Sequence, residues 1–224
     1  MYVGRVMHTD LVTATPDTPI AKARDLLAEK RIDHLLVVDG KKGLKGIVSD
    51  RDIKQSWASP ATSLSTHELN YLLSRVTVGM IMVKKIITVS PATTIERAAY
   101  IMQENRISAL PVLEGETLSG IITTTDVMGV LLEAIGIDDE SARFTIVVKD
   151  RIGFIAEVAR ILKENDINIR SIFSWPEKGH PGVYLLVMRV SSENGDRAVS
   201  LLREAGFKVM TDYIQDPQPL VPEA

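Results

Sequence analysis

The sequence "GIVSDRD" at residues 46–52 is followed by "GIITTTD" at residues 120–126. Both stretches contain a glycine, two β-branched residues, a hydroxyl residue and, three positions after that hydroxyl, an aspartate. The similarity extends toward the N-terminus, where Met7 aligns with Met82, and one residue drops out of the second copy before its glycine. An internal repeat of this kind is typical of duplicated structural units. We therefore expect two copies of one fold.

Each copy shows the same series of patterns. A β-branched run, "LVTATP" or "IITVSP", precedes a segment with apolar residues at helical spacing. An apolar run ("HLLVVDG", "ALPVLEG"), a turn containing glycine, and a second β-branched run then lead to the hydroxyl residue. The predicted helices have these apolar faces: Ile20, Ala23, Leu26 and Leu27 in the first copy, and Ile95, Ala98, Ile101 and Met102 in the second. Each copy is predicted to be an α/β unit ordered strand, helix, strand, strand, helix.

The repeated hydroxyl and aspartate have two interpretations. In the first, Ser49 with Asp52 and Thr123 with Asp126 form capping boxes that only stabilise helix starts, each worth about 1 kcal/mol. In the second, the free amide groups of the helix N-terminus favour a phosphate, and the nearby carboxylate accepts the two hydroxyl groups of a ribose. The local pattern fits both interpretations.

Composition narrows the class of protein. The chain has 224 residues, of which 45% are hydrophobic and 25% charged, and its net charge is −3. These values indicate a globular protein, and the absence of a basic cluster disfavours nucleic-acid binding. The sequence contains no cysteine, which excludes disulfides and cysteine-ligated metals. Because no apolar run is long enough for a membrane span or a signal peptide, we expect a cytoplasmic protein with no membrane partner.

The tandem G-h-h-[ST]-x-x-D stretches, with lead-in segments "VMHTDLVTATPDT" and "IMVKKIITVSPAT", resemble a pair of cystathionine-β-synthase (CBS) motifs. The resemblance predicts a CBS pair over residues 1–135, with motif one at 1–57, a helical insertion at 58–75 and motif two at 76–135. The insertion pattern predicts a helix that begins at Ser65 or Thr66. Its apolar face, Leu69, Leu72, Leu73 and Val76, either packs internally or forms a dimer surface; packing is the favoured alternative.

The resemblance to CBS pairs implies a regulatory adenine nucleotide (AMP, ADP or ATP) in the clefts of the module. In that family the aspartate holds the ribose and the hydroxyl residue lies near the ribose or the phosphate. Carried over to this sequence, Thr13, Asp33, His34, Ser49, Arg51 and Asp52 form one cleft, and Thr88, Ser108, Ala109, Thr123 and Asp126 form the other. Arg51 favours a phosphorylated ligand in the first cleft, because Thr124 and Thr125 follow the hydroxyl in the second.

A different pattern follows a polar linker predicted at 136–142. Residues 143–214 alternate as βαββαβ, the ferredoxin-like arrangement, and resemble an ACT domain. The motif consists of "DRIG" at the first strand-to-helix turn, where the family often has proline at Ile152, and "NI" on the later strand. The resemblance implies an amino-acid site formed by Asp150, Arg151, Gly153, Phe154, Asn168 and Ile169. The alternative is dimerisation alone, and a homodimer is the favoured expectation. Residues 215–224 are predicted to be a flexible tail.

No catalytic motif is evident in the sequence, so we expect a protein that is not an enzyme, with no catalytic cofactor and no metal. The leading hypothesis is a regulatory sensor that binds an adenine nucleotide and an amino acid and acts on an unknown protein target. The alternatives are a dimerisation scaffold without a small-molecule ligand and an unrecognised nucleotide hydrolase. A CBS pair followed by one ACT domain also resembles the acetoin-utilisation B proteins of bacteria.

Overall fold

The computed structural model describes residues 1–40, 43–57, 75–138 and 140–214. The chain divides into two compact units, Met1–Met128 and Gly129–Ala224. The first contains both copies of the repeat, and the second contains the βαββαβ segment. Each unit is described by itself below.

The first copy contains a three-stranded sheet and two helices. Its elements are β1 (Thr13–Ala14), α1 (Ile20–Lys30), β2 (His34–Val38), β3 (Leu44–Ser49) and α2 (Asp50–Ser56). The strand order is β1-β2-β3, with β1 parallel to β2 and β2 antiparallel to β3. The predicted order of strands and helices is confirmed for this copy.

The second copy repeats the first. Its elements are α3 (Val78–Ile81), α4 (Ile95–Asn105), β4 (Ala109–Glu114), β5 (Thr117–Thr123) and α5 (Thr124–Ile135). Strands β4 and β5 pair antiparallel, and a parallel bridge between Val89 and Val112 occupies the place of the β1–β2 pairing. The helix faces predicted from the sequence are also found: Ile20, Ala23 and Leu27 are buried on α1, and Ile95, Ala98 and Met102 on α4.

The lead-in segment of each copy pairs with the last strand of the other copy, and we call this arrangement the exchange of lead-in segments. The backbone of His8, from the first copy, pairs with Ile121 on β5, and Val83, from the second copy, pairs with Ile47 on β3. Met82 and its neighbours Val78 and Ile81 pack in the core formed by α1, β2 and β3. The first copy therefore completes its hydrophobic core with side chains from the second.

The glycines of the quoted stretches make this exchange possible. A Cβ atom on Gly46 would lie 2.5 Å from the Met82 sulfur, and a Cβ atom on Gly120 would lie 2.5 Å from the Met7 sulfur. Any larger residue at either position would displace the methionine of the other copy. The repeated glycine is explained by this close contact.

The second unit is a four-stranded antiparallel sheet with two helices. Its elements are β6 (Ser141–Lys149), α6 (Phe154–Glu164), β7 (Ser171–Pro176), β8 (Val183–Ser191), α7 (Gly195–Glu204) and β9 (Lys208–Met210), in the strand order β7-β8-β6-β9. The core includes Phe144 and Ile146 of β6, Leu162 of α6 and Leu202 of α7. This topology confirms the predicted ferredoxin-like fold.

Strand β6 begins inside the segment predicted to be a linker. Ser141 pairs with Ser191 on β8, so the strand starts two residues before position 143. The predicted insertion helix lies almost wholly outside the described residues, as does the predicted tail at 215–224.

Candidate functional site

The repeated hydroxyl and aspartate form the same hydrogen-bonded arrangement in both copies. The Ser49 hydroxyl accepts from the Asp52 amide (3.2 Å), and the Asp52 Oδ2 atom accepts from the Ser49 amide (2.8 Å) and the Ser49 hydroxyl (2.6 Å). Thr123 and Asp126 repeat these contacts at 3.3, 2.8 and 2.7 Å. Both capping boxes are therefore present, and they leave the second carboxylate oxygen of each aspartate outside the cap.

That second oxygen distinguishes the two copies. Nε2 of His8 donates to Oδ1 of Asp126 at 2.9 Å. The residue aligned with His8 in the second copy is Val83, which has no polar group. Every hydrogen bond that the described part of the chain makes to the Asp52 carboxylate goes to Oδ2. Oδ1 of Asp52 is thus available to a ligand, whereas Oδ1 of Asp126 is held by an imidazole.

The contacts with Thr123 and His8 lower the pKa of Asp126. Partial burial raises the pKa of the carboxyl group, but hydrogen bonds from the Thr123 hydroxyl and amide and from His8 favour the charged form. Together they hold the pKa of Asp126 below its ordinary value. The carboxylate is ionised at neutral pH.

Two cavities lie in the first unit, and we name each after the aspartate that lines it. The Asp52 cleft has a volume of about 390 Å³ and is lined by His34, Ile47, Ser49, Arg51, Asp52, Gln55, Val83, Lys85, Ile86, Ile87, Arg106, Ile107, Ser108, Ala109 and Pro111. The Asp126 cleft has a volume of about 650 Å³ and is lined by His8, Asp10, Leu11, Val12, Arg31, Ile32, Asp33, His34, Leu36, Ser49, Asp50, Arg51, Ser108, Ile121, Thr123, Thr124, Thr125 and Asp126. Each cleft combines residues of both copies.

The grouping of site residues by copy is therefore corrected. Ala109 lines the Asp52 cleft rather than the Asp126 cleft, Asp33 lines the Asp126 cleft with Thr123 and Asp126, and Ser108 lines both. The reason is that the two copies adjoin at the starts of β2 and β4, where the His34 imidazole contacts the Ser108 hydroxyl. Four residues line both cavities: His34, Ser49, Arg51 and Ser108. Two predicted residues, Thr13 and Thr88, line neither.

His34 and Ser108 meet where the two copies adjoin. Nε2 of His34 lies 2.9 Å from the Ser108 hydroxyl. Burial lowers the pKa of His34 below its ordinary value, although the charges of Asp33 and Asp52 act in the opposite direction. His34 is therefore neutral at neutral pH and provides a polar, uncharged wall to both clefts.

Sequence reasoning missed several cations of the clefts. Arg31 lines the Asp126 cleft, and Arg106 and Lys85 line the Asp52 cleft. Arg31 and Arg106 both end their helices in the left-handed conformation, each with φ of 52°, which few residues other than glycine adopt. The repeat itself could have indicated these two arginines, because the dipeptide "RI" occurs at the same place in both copies.

The predicted amino-acid site in the second unit has a preformed turn. Gly153 has φ of 94° and precedes the first residue of α6, Phe154, which packs against the core. The Arg151 guanidinium binds the Glu157 carboxylate through two hydrogen bonds, and its Nη1 lies 2.7 Å from Oε1. Asp150 and Asn168 are exposed, and Ile169 is partly buried. Arg151 is thus engaged within its own unit.

The described residues contain neither a metal-binding cluster nor a helix that could span a membrane. No group of three or more histidine, aspartate or glutamate side chains lies close enough to hold a metal ion. No helix in the described ranges combines the length and the apolar character that a bilayer span requires.

The fold and the paired clefts define the class: a duplicated α/β module with two cavities at its internal repeat, followed by a ferredoxin-like unit. The CBS domain family model matches residues 3–58 and 78–133, and the ACT domain model matches residues 142–205. The chain belongs to the CBS-domain family, and carries a tandem CBS pair followed by an ACT domain.

Known proteins resemble the CBS pair. The protein MJ1404 of Methanocaldococcus jannaschii is 31% identical over 129 residues, which are 56% of this chain and 31% of that protein. The structure of the CBS-domain protein ATU1752 from Agrobacterium tumefaciens is 25% identical, with a TM-score of 0.51, over 58% of this chain and 99% of that one. A candidate acetoin utilization protein (AcuB) from Vibrio cholerae is 26% identical, with a TM-score of 0.49, over 59% and 91% of the two chains. Several curated relatives are matched over a third of their length or less.

Proposed function

We propose that the chain is a non-catalytic regulatory protein whose CBS pair binds an adenine nucleotide in the Asp52 cleft. The observation that carries the proposal is the second oxygen of the Asp52 carboxylate, which is left out of the cap and lines a cavity. By resemblance to other CBS pairs, a carboxylate oxygen in this place accepts hydrogen bonds from the ribose hydroxyls of a bound nucleotide. The scaffold and hydrolase alternatives do not require this oxygen to be available.

The charges of the Asp52 cleft support a phosphorylated ligand. Among the described residues, its lining contains three cations, Arg51, Lys85 and Arg106, against one carboxylate, Asp52. Guanidinium and ammonium groups form charge-assisted hydrogen bonds with phosphate oxygens. The apolar side chains of Ile47, Val83 and Ile87 provide surfaces against which an adenine ring packs.

Calorimetric titration of the purified protein with AMP tests the proposal. We expect binding in the micromolar range. Asp52→Asn keeps the shape of the cap but removes the charge that accepts the ribose, and Lys85→Gln removes a phosphate partner, so each is expected to weaken AMP binding at least tenfold. Asp126→Asn is the matched control and is expected to leave the AMP affinity within about twofold.

The scaffold and hydrolase alternatives predict different results in these experiments. A folded protein that binds no AMP, with Asp52→Asn lowering only the free energy of unfolding, would support the scaffold. Release of phosphate or nucleoside from ATP by the purified wild-type protein would support the hydrolase.

For the ACT unit we propose dimerisation, with amino-acid binding at the Gly153 turn. Strand β7 is an edge of the sheet, and its side chains Ile172 and Trp175 are 40% and 56% exposed. An exposed apolar edge strand pairs readily with a second copy. Sedimentation equilibrium is expected to show a dimer in the wild-type protein and a monomer in Ile172→Lys. Retention of the dimer in that variant would place the interface elsewhere.

A growth experiment tests the proposed cellular role separately from ligand binding. The architecture supports an accessory role in acetoin utilisation, acting on a protein target inside the cell. Deletion of the gene is expected to slow growth on acetoin, and restoration by the wild-type gene but not by the Asp52→Asn gene would connect that role to the Asp52 cleft.

A further inference from the structure

We propose that the His34 imidazole makes nucleotide binding in the Asp52 cleft sensitive to pH, because a proton taken up by this ring strengthens the binding of a phosphorylated nucleotide. The inference rests on the proposed function, in which this cleft binds AMP. It assigns a regulatory role to a side chain that lines the cleft.

The His34 ring lies where a change of charge reaches a ligand. It is partly buried and lines both the Asp52 cleft and the Asp126 cleft. The residue aligned with His34 in the second copy is Ala109, so the repeat has this titratable group in one copy only. A charge on the wall of a cleft is screened less by salt than a charge on the open surface. Protonation of His34 therefore adds an effective cation to the wall of the cleft that binds the phosphate.

The hydrogen bond of His34 is compatible with both protonation states of the ring. Nε2 lies 2.9 Å from the Ser108 hydroxyl. A hydroxyl group donates to an unprotonated ring nitrogen or accepts from a protonated one, so the ring can take up a proton without losing this partner. Protonation thus changes the charge of the wall and leaves the contact between the two copies in place.

The charges around His34 determine the direction of the effect. Burial lowers the pKa of His34 below its ordinary value, although the carboxylates of Asp33 and Asp52 favour the protonated ring. The other charged or titratable side chains that line the two clefts are Arg51 in both, Lys85 and Arg106 in the Asp52 cleft, and His8, Asp10, Arg31, Asp50 and Asp126 in the Asp126 cleft.

A bound phosphate is a further anion near this ring, so it raises the pKa of His34. Because coupling between two binding events is reciprocal, a ligand that raises this pKa binds more tightly to the protonated protein. AMP affinity therefore increases as the pH falls through the pKa that His34 has in the complex.

Calorimetric titration with AMP at pH 8.0 and pH 5.5 tests the inference on the wild type and on His34→Gln, whose amide can still bond to Ser108 but cannot take up a proton. The phosphate of AMP itself titrates near about pH 6, but wild type and variant share that titration, so the ratio of their pH effects isolates His34. Between these pH values the wild-type affinity is expected to gain about threefold over that of His34→Gln on acidification. His8→Gln is the matched control and should keep the wild-type pH effect.

A second variant tests the pH profile through a residue that is not among the described residues lining the Asp52 cleft. Asp33 is exposed, and its carboxylate favours the protonated form of His34. Asp33→Asn is therefore expected to lower the pKa of His34 and to move the rise in AMP affinity to more acidic pH. Nuclear magnetic resonance titration of the His34 ring measures its pKa directly, and AMP is expected to raise that pKa by about one unit in the wild type.

The outcomes separate this inference from the proposed function. Equal pH effects in wild type and His34→Gln, or a pKa of His34 that does not rise when AMP binds, would overturn the inference while AMP binding stands. If His34→Gln binds no AMP at either pH, the Asp33→Asn profile and the resonance titration decide, and an unshifted profile with an unchanged pKa overturns the inference. Absence of AMP binding by the wild type at both pH values would mean that the proposed function itself fails, and the inference with it.

Discussion

At the scale of single residues, the two copies differ where a ligand would be recognised. Val83 in the Asp52 cleft takes the place of His8 in the Asp126 cleft, and Thr125 takes the place of Arg51. These differences leave the caps unchanged but alter what surrounds each carboxylate. The duplicated module therefore keeps one scaffold and has two chemically distinct clefts.

The caps give a prediction about stability. Ser49→Ala and Thr123→Ala each remove a hydroxyl that accepts from a helix amide and donates to a carboxylate, so each is expected to lower the free energy of unfolding by about 1 kcal/mol. Urea unfolding monitored by circular dichroism measures this change. Thr124→Ala, at an exposed neighbouring position, is the control and should change it by less than about 0.5 kcal/mol. Equal losses in all three variants would contradict the assignment.

His34 gives a prediction about pH. Its folded-state pKa lies below the ordinary value of 6.5, so between these two values the unfolded chain binds more protons than the folded one. The contribution of His34 to stability is complete above pH 6.5 and is lost as the pH falls below that value. His34→Ala introduces the residue that the second copy has at Ala109, and is expected to remove this step.

Urea unfolding at closely spaced pH values measures that difference. The groups that act on His34 are Asp33, Asp52 and the Ser108 hydroxyl, and all remain in the variant. The difference in unfolding free energy between wild type and His34→Ala should shrink on acidification from pH 7 to pH 5. A difference that is constant across this range would show that His34 titrates alike in both states.

At the scale of elements, the lead-in segment of the second copy packs against β3 of the first. The effects on stability of substitutions at Gly46 and Met82 should therefore depend on each other. Gly46→Ala places a methyl group against Met82 and is expected to cost about 1–3 kcal/mol. Met82→Ala in the same chain relieves that overlap, so the double variant should be more stable than the sum of the single losses predicts. A double-mutant cycle by urea unfolding measures the coupling.

Gly129→Ala is the control for that cycle, because nothing lies within 4 Å of a Cβ atom at Gly129 in α5. It should be neutral or stabilising, since alanine favours a helix interior over glycine. Strict additivity of Gly46→Ala and Met82→Ala would contradict the contact between the copies.

The sequence was sufficient for elements and insufficient for the clefts. Helical spacing located α1 and α4, and the βαββαβ order followed from alternating patterns in the second half. The hydroxyl and aspartate of the caps were predictable because their contacts span three residues. The presence of Ala109 and Asp52 in one cleft was not predictable, because it depends on packing between the two copies, which local sequence patterns do not determine. The left-handed Arg31 and Arg106 were missed for a related reason, since nothing in their side chains favours that conformation.

At the scale of the whole molecule, a sensor with two inputs must obey linkage. If AMP at the CBS pair changes the affinity of the ACT unit for an amino acid, the amino acid must change the affinity for AMP by the same factor. Titrating AMP with and without each amino acid, and each responsive amino acid with and without AMP, measures both factors. We expect them to agree. An effect in one direction alone would show that the two titrations report different events.

The Asp52 cleft is lined by residues of both copies, and AMP calorimetry on two matched variants tests whether this cleft binds the nucleotide. Arg106 and Arg31 occupy equivalent positions, but Arg106 lines the Asp52 cleft and Arg31 does not. We expect Arg106→Gln to weaken AMP binding about tenfold, because it removes a hydrogen bond to a charged group, and Arg31→Gln to leave AMP binding nearly unchanged. The opposite pattern, with Arg31→Gln weakening AMP binding and Arg106→Gln having no effect, would contradict this expectation.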